Sequence, residues 1–268
     1  MIRDITIGQY YPAESVIHRL DPRVKLVGTL TFIISLFLHR SFLMYLVAAV
    51  FLTIVIKASK VPFRFMIKGL KAIMVLLLIT VVFNLFLTPG TPLIRSWKLT
   101  LTVEGVKQAA FMAIRLAFLI VGSSVMTLTT TPNHLTDGME KGLAPLNKLH
   151  VPVHEVSMIM SIALRFIPIL LEETDKIMKA QEARGADFDS GNLIQKAKSL
   201  VPLLVPLFIS AFRRANDLAM AMEARGYRGG EGRTKMKPLI YQKRDRMAYG
   251  VLLGYLAVMI LVGQFAPF

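Results

Sequence analysis

Two arginines with matching surroundings are the residues of this chain best suited to binding chemistry. The sequence Glu-Ala-Arg-Gly occurs at residues 182–185 and again at 223–226, 41 positions later. Glycine directly after a helical pattern favours the left-handed conformation that ends a helix, so Arg184 and Arg225 are predicted in final helical turns. One such pattern is typical of a helix cap, but repetition of all four residues indicates a second role. Two guanidinium forks on rigid helices suit acidic or carbonyl acceptors on a partner.

Each copy ends a long helical pattern that begins apolar and ends charged. Residues 152–184 and 192–225 both show the spacing of three, four and seven that marks one helical face, which predicts two long amphipathic helices with a buried stripe. Prolines Pro168, Pro202 and Pro206 lie in the apolar halves, and Pro168 predicts a kink. The stripes are Val156, Ile159, Met160, Ala163, Ile167, Leu170, Leu171, Thr174, Ile177 and Met178, then Ala197, Leu200, Val201, Leu204, Phe208, Ala211, Ala215, Leu218, Ala219 and Met222.

The composition places the chain in a membrane. With 268 residues, 54% of them hydrophobic, and a mean hydropathy of +0.55, it is too apolar for an ordinary soluble protein. The 32 Lys and Arg residues outnumber 17 Asp and Glu residues, and this excess of +15 predicts a large cytoplasmic face. There is no cysteine, which excludes disulfides and thiolate chemistry, and residues 1–23 do not resemble a cleavable export signal.

Five apolar segments are predicted to span the membrane. Asp21 and Pro22 predict the start of the first helix as N-cap and first helical residue. Five cations without an acid lie between residues 57 and 71, which places this connection and the N-terminus in the cytoplasm and the C-terminus outside. A small external hairpin is predicted around Trp97. The spans are residues 26–38 and 42–56, which form a tight hairpin of short or tilted helices, then 72–87, 104–128 and 248–265.

The predicted fold class is therefore an all-α integral membrane protein. It has about five transmembrane helices and a cytoplasmic coupling region made of one short helix, at residues 133–148, and two long crossing helices. We divide the chain into an N-terminal membrane region at 1–131, the coupling region at 132–246 and a final transmembrane helix at 247–268. Residues 243–246 are interpreted as a basic anchor for that last helix. This organisation predicts a multi-pass protein of the cell membrane.

Four motifs together resemble one family, the transmembrane T component of energy-coupling-factor vitamin and micronutrient importers. They are Asp21-Pro22-Arg23-x-Lys25, Ala163-Leu164-Arg165-Phe166-Ile167-Pro168, Gln181-Glu182-Ala183-Arg184-Gly185, and the run from Ala221 through Arg225 to Gly229. The resemblance implies a non-catalytic scaffold that joins two cytoplasmic ABC ATPase subunits to a small substrate-binding membrane subunit. It also implies that the two arginines anchor the ATPases while small neighbours allow close approach. The implied binding residues are Ala183, Arg184, Gly185, Ala224, Arg225 and Gly226.

Other classes of function find less support in the residues. No Gly-x-x-x-x-Gly-Lys-Ser/Thr loop is present, so we expect this chain to bind no ATP by that device, and no cofactor is predicted. His150 and His154 flank Pro152 and are interpreted as loop and cap residues rather than metal ligands. A stand-alone secondary transporter, a basic membrane anchor and an intramembrane enzyme remain as alternatives, and binding to nucleic acid is not expected. Arg115, inside the fourth span, is either a functional residue or one paired within the bundle.

Overall fold

Long apolar helices joined by short polar connections form the structure, as the sequence predicts. The structure, a computed structural model, describes residues 10–38, 41–96, 99–186, 188, 192–230, 236 and 238–265. In these ranges the fold class is that of an all-α integral membrane protein with one short β-hairpin. The helices are α1 (Pro22–Leu38), α2 (Phe42–Ser59), α3 (Phe63–Leu87), α4 (Val103–Thr129), α5 (Pro132–Leu143), α6 (Val153–Ala183), α7 (Leu193–Ser199), α8 (Val201–Ala224) and α9 (Lys243–Phe265).

Four of these helices are long and apolar enough to cross a membrane, and α3 adds a fifth if its two parts form one span. Helices α2, α3, α4 and α9 coincide with predicted spans. Helix α1 covers the remaining predicted span, but its 17 residues extend about 26 Å, short of a hydrocarbon core about 30 Å thick. Helix α6 also meets the requirements of length and composition, although we had placed only its first half at the bilayer. The chain is a multi-pass membrane protein.

Helix α3 bends where the sequence changes from basic to apolar. Its parts Phe63–Lys71 and Ile73–Leu87 meet at an angle of 61°. The basic connection that the sequence places before the third span is therefore helical in its second half. It begins after α2 at Lys60, whose φ of 55° is left-handed.

The predicted hairpin forms between α3 and α4. Strands β1 (Pro92–Ser96) and β2 (Leu99–Thr102) pair in antiparallel fashion. Trp97, around which the prediction was made, lies outside the described residues. Thr102 then caps α4, because its Oγ1 accepts a hydrogen bond of 3.0 Å from the backbone N–H of Gly105.

Contact clustering along the chain separates two compact units, one of residues 139–238 and one of residues 10–138 with 239–265. The second, which we call the membrane unit, contains the main hydrophobic core. Phe32 and Tyr255 are buried in it, and the ring of Phe32 lies so close to Gly122 that a Cβ there would be 2.6 Å from Phe32 Cε1. Glycine at position 122 thus allows α1 and α4 to pack closely.

The other unit, which we call the coupling unit, contains the two long helices. Helix α5 ends at Leu143, and Ala144–Leu149 continues as a 3-10 helix, so the predicted break occurs just before Pro145. Helix α6 runs through Pro168 to Ala183. The second long helix, predicted over residues 192–225, is instead divided at Leu200 into α7 and α8. The division follows from Pro202, which has no N–H to donate to the carbonyl of Lys198 and would clash with it.

One prediction about these helices is wrong. The apolar stripe of α6 was expected to be buried, but Val156 is 49% exposed and Ile159 is 62% exposed. On α8, Leu204 and Phe208 of the predicted stripe are exposed as well. Periodicity identifies an apolar face, whereas the structure shows that within the described residues this face is left for lipid or a partner.

Candidate partner-binding helix ends

The first Glu-Ala-Arg-Gly sequence forms a complete helix cap. Helix α6 ends at Ala183, Arg184 is the C-cap residue, and Gly185 follows with a φ of +89°. The N–H of Gly185 donates to the Glu182 carbonyl at 2.9 Å, and the N–H of Ala186 donates to the Gln181 carbonyl at 3.0 Å. This pair of bonds satisfies carbonyls that would otherwise lack a partner at the helix end.

The second copy forms the same cap. Arg225 follows α8 as its C-cap residue, and Gly226 has a φ of +70°. The N–H of Gly226 donates to the Glu223 carbonyl at 2.8 Å, and that of Tyr227 donates to the Met222 carbonyl at 3.0 Å. The prediction that both arginines lie at left-handed helix stops is confirmed. Each arginine lies one residue beyond its helix.

Both ends are open around the main chain. A Cβ placed on Gly185 or Gly226 would meet no atom within 4 Å. Arg184 and Arg225 are exposed, and so are Ala183 and Ala224. The small residues on either side of each guanidinium thus leave room for another surface to approach the backbone closely.

Helices α6 and α8 cross in opposite directions at an ion pair. Arg214 Nη2 lies 3.0 Å from Glu173 Oε2, and Gln181 Nε2 donates to the Pro202 carbonyl at 3.4 Å. Glu173 is 11 residues before Arg184, and Arg214 is 11 residues before Arg225. At 1.5 Å per residue, each arginine lies about 16 Å along its helix from the crossing, on opposite sides of it. The pair of helices therefore holds the two ends apart as a double lever.

Two cavities line this crossing. One of about 360 Å³ lies between Ile162, Phe166 and Leu170 of α6 and the alanines Ala211 and Ala215 of α8. A second, of about 440 Å³, extends from the same helices to the second capped end and includes Arg225 and Gly226. The cavity beside one of the two matching ends was not predicted from the sequence.

The membrane unit contains a buried carboxylate that sequence reasoning missed. Asp245 is 1% exposed, its Oδ1 accepts from the N–H of Asp21 at 2.9 Å, and its Oδ2 accepts from the N–H of Gln242 at 2.8 Å. It thereby ties the start of α1 to the start of α9. We had read residues 243–246 as a basic anchor, and the lone acid in that run, three residues after Gln242, was the signal for a helix N-terminus.

Basic residues of the Asp21-Pro22-Arg23-x-Lys25 motif complete this network. Arg23 donates to both carboxylate oxygens of Asp21, at 3.0 and 2.8 Å, and its guanidinium lies 3.8 Å from the centre of the Tyr241 ring. Lys25 Nζ donates to the carbonyls of His18 and Thr129. The motif therefore acts inside the membrane unit. We call Asp21, Arg23, Gln242 and Asp245 the Asp245 clasp.

Arg115 is paired within the helix bundle. Its side chain is buried, and its Nε donates to the hydroxyl of Tyr45 at 3.0 Å. The Phe37 ring lies 5.2 Å from the guanidinium carbon. Of the two interpretations left open by the sequence, the structure supports pairing inside the bundle.

The two histidines that flank Pro152 have structural roles. His150 has a φ of 60° and caps the 3-10 helix, and His154 Nδ1 lies 3.0 Å from Glu140 Oε1. Ser157 donates to the other oxygen of Glu140 at 3.1 Å. Across the described part of the chain, no group of three or more His, Asp or Glu side chains could hold a metal ion.

Matching capped ends on a multi-pass helical protein define a class of membrane protein that presents itself to partners. Comparison with known proteins assigns the family. A family model described as CbiQ, cobalt transport protein, matches residues 13–236. The chain is 59% identical over 263 residues to the energy-coupling factor transporter transmembrane protein EcfT of Clostridium kluyveri, and the match covers 97% of each chain.

Two further relatives carry the same description. The protein of Ruminiclostridium cellulolyticum is 52% identical over 263 residues, with 98% of each chain covered. That of Bacillus subtilis is 48% identical over 246 residues, covering 91% of this chain and 93% of the relative. This chain therefore belongs to the CbiQ family, and the resemblance found in its motifs is confirmed.

Proposed function

We propose that this chain is the transmembrane T component of an energy-coupling-factor importer. In this role it is a non-catalytic subunit that transmits motion from two cytoplasmic ATPase subunits to a small substrate-binding membrane subunit. The relatives described as transmembrane proteins of such transporters support the assignment. The observation that carries the coupling role is the pair of identical capped ends at Arg184 and Arg225, both exposed and both 11 residues from one crossing.

The geometry suits transmission of movement. An ATPase that moves Arg184 or Arg225 acts on the end of a rigid helix about 16 Å from the crossing, so the displacement reaches the other helix as a rotation about that point. The apolar stripe of α6, exposed at Val156 and Ile159, offers the substrate-binding subunit a surface that packs without ion pairs. We accordingly place the N-terminus and the coupling unit in the cytoplasm, where the ATPases are.

Arginine truncation tests the two anchors. Removing a hydrogen-bonded charge from an interface costs about 2 to 5 kcal/mol, whereas losing a cation from a last helical turn costs about 0.3 to 1 kcal/mol. Arg184→Ala and Arg225→Ala should each leave the protein inserted in the membrane while weakening ATPase association or uptake, and the double variant should abolish transport. Lysine at either position should not restore full association, because it lacks the guanidinium fork.

The measurements are retention of the ATPases by the tagged chain and uptake of substrate by cells or proteoliposomes. Arg213→Ala is the matched control, because Arg213 is exposed on α8 but lies far from both ends. Wild-type retention and uptake in the double variant would reduce the arginines to helix caps. Uptake by this chain alone in liposomes would instead make it a secondary transporter.

A further inference from the structure

The two capped ends have matching backbones but different surroundings. After Gly185 the sequence continues Ala-Asp-Phe-Asp, with two acids, whereas after Gly226 it continues Tyr-Arg-Gly-Gly, with a base. The cap of the second end pairs Tyr227 with Met222 through one hydrogen bond, and both residues line the cavity of about 440 Å³. The symmetry of the repeat is therefore broken at the residues that flank the arginines.

Three arginines line that second cavity. Arg165 comes from the first half of α6, and Arg225 and Arg228 come from the second end. Among the residues that the structure describes, no carboxylate lies within ion-pair distance of any of the three. Like charges around one cavity repel each other, so an anion in it would be held by charge-assisted hydrogen bonds and would relieve the repulsion.

The rest of the cavity wall is apolar. Ile162 of α6 and Leu218 and Met222 of α8 lie between the arginines. A ligand that matches this lining carries at least one carboxylate or other anionic group next to an apolar group. The chemistry differs from that of a free inorganic anion, which would leave the apolar wall uncovered.

The backbone beside the arginines is also accessible. Gly226 and Gly229 have φ values of +70° and +91°, and a Cβ at either would meet no atom within 4 Å. Main chain from another protein can therefore approach this turn closely while its acidic side chains reach the guanidinium groups. This openness favours a peptide segment over a lipid headgroup as the occupant.

We propose that this cavity, the Arg165 socket (Arg165, Ile162, Leu218, Met222, Arg225 and Arg228), receives an acidic segment of one ATPase subunit, in which a carboxylate lies beside an apolar side chain. The first end lacks such a socket in the described residues and is followed by two acids, so it does not suit the same segment. The two ends are therefore not interchangeable, and charge determines which partner surface each one takes. The inference rests on the function proposed above and adds the chemistry of the partner.

Crosslinking at each end provides the test, since the chain has no cysteine of its own. Met158→Cys reports on the socket, which Met158 lines, and Ala186→Cys reports on the first end. Each variant is produced with both ATPases, labelled with a photoactivated crosslinker and analysed by mass spectrometry. We expect Met158→Cys to capture an ATPase peptide with Asp or Glu next to an apolar residue, and Ala186→Cys to capture a different peptide without that acidic character.

Charge reversal then identifies the arginines that matter. Arg165→Glu and Arg228→Glu should each lower the yield of the socket crosslink about tenfold or more, the loss expected for a buried charge pair, and leave the first-end crosslink unchanged. Arg213→Glu makes the same charge change on an exposed part of α8 and should alter neither yield. Arg225 is left intact in these variants because it also serves the proposed anchor.

Several results would overturn the socket. They are a neutral or basic captured peptide, the same peptide at both ends, or reversal variants that keep full crosslinking. If the variants lower crosslinking only in nanodiscs that contain phosphatidylglycerol, the occupant is a lipid headgroup and the proposal is wrong. Should Arg165→Glu fail to accumulate, the captured peptide still decides. Loss of ATPases in Arg184→Ala and Arg225→Ala together with an insensitive socket would uphold the proposed function and reject only this inference.

Discussion

The two units use their charged residues in opposite ways. In the membrane unit, Asp245 is 1% exposed and bonds two backbone N–H groups, and Arg115 bonds Tyr45 within the bundle. In the coupling unit, Arg184 and Arg225 are exposed on open turns. A charge that is enclosed must be satisfied inside the chain, whereas a charge on an open helix end is available to another protein. The difference indicates which unit is a scaffold and which is a binding surface.

The largest effect that would sharpen this comparison is expected at Asp245. Asp245→Ala leaves the N–H groups of Asp21 and Gln242 without partners, at about 1 to 3 kcal/mol for each group, so the membrane unit should lose about 2 to 6 kcal/mol. The measurement is the midpoint of thermal unfolding in detergent, with Asp245→Asn as the control that keeps one acceptor oxygen. An unchanged midpoint in Asp245→Ala would show that the clasp is not a structural element.

A smaller loss is expected where Arg115 meets Tyr45. Tyr45→Phe removes the hydroxyl that accepts from a buried guanidinium, which should cost about 1 to 3 kcal/mol. Tyr255→Phe removes a neutral bond of 2.7 Å to Ser35 and is the matched control. We expect the first variant to lower the unfolding midpoint more than the second. Equal shifts would show that the charge of Arg115 needs no partner in the bundle.

Acid should weaken the membrane unit before it affects the helix ends. Burial lowers the pKa of His18 below 6.5. Burial would raise the pKa of Asp21, but the hydrogen bonds from Arg23 outweigh it and hold that pKa below 3.8. Both groups bind fewer protons when folded, so their stabilisation is present at neutral pH. It is lost as the pH falls, for His18 below 6.5 and for Asp21 below 3.8.

The check is the unfolding midpoint measured across this pH range. His18→Gln should flatten the decrease below pH 6.5, and Asp21→Asn should flatten the decrease below pH 3.8. A wild-type midpoint that rises on acidification would contradict the assigned directions.

The smallest effect is expected at the crossing of α6 and α8. The Glu173 and Arg214 side chains are 27% and 39% exposed, so water screens their ion pair, and breaking it should cost about 0.2 to 1 kcal/mol. Glu173→Arg and Arg214→Glu should each lower stability slightly, and the two changes together should restore it. A double-mutant cycle on the unfolding midpoint measures the coupling. A loss as large as that of Asp245→Ala would mean that the coupling unit is also held together by enclosed charge.

Much of the architecture follows from local sequence. Asp21 and Pro22 predict where α1 begins, and α1 starts at Pro22. Both Arg-Gly pairs predict left-handed helix ends, which form at Gly185 and Gly226. These features could be predicted because a cap depends on the conformational preferences of a few adjacent residues. The family too was recognisable from its motifs, as the 59% identical relative confirms.

The sequence alone established a polytopic membrane protein with two arginines at repeated helix ends. Only the tertiary structure showed that Asp245 joins the first and last membrane helices, 224 positions apart in the case of its bond to Asp21, and that Arg165 lines the same cavity as Arg225. It also showed that the stripe of α6 is exposed at Val156 and Ile159. Periodicity and capping are local properties, whereas the partner of a buried carboxylate and the cover of an apolar face depend on which distant segments the fold brings together.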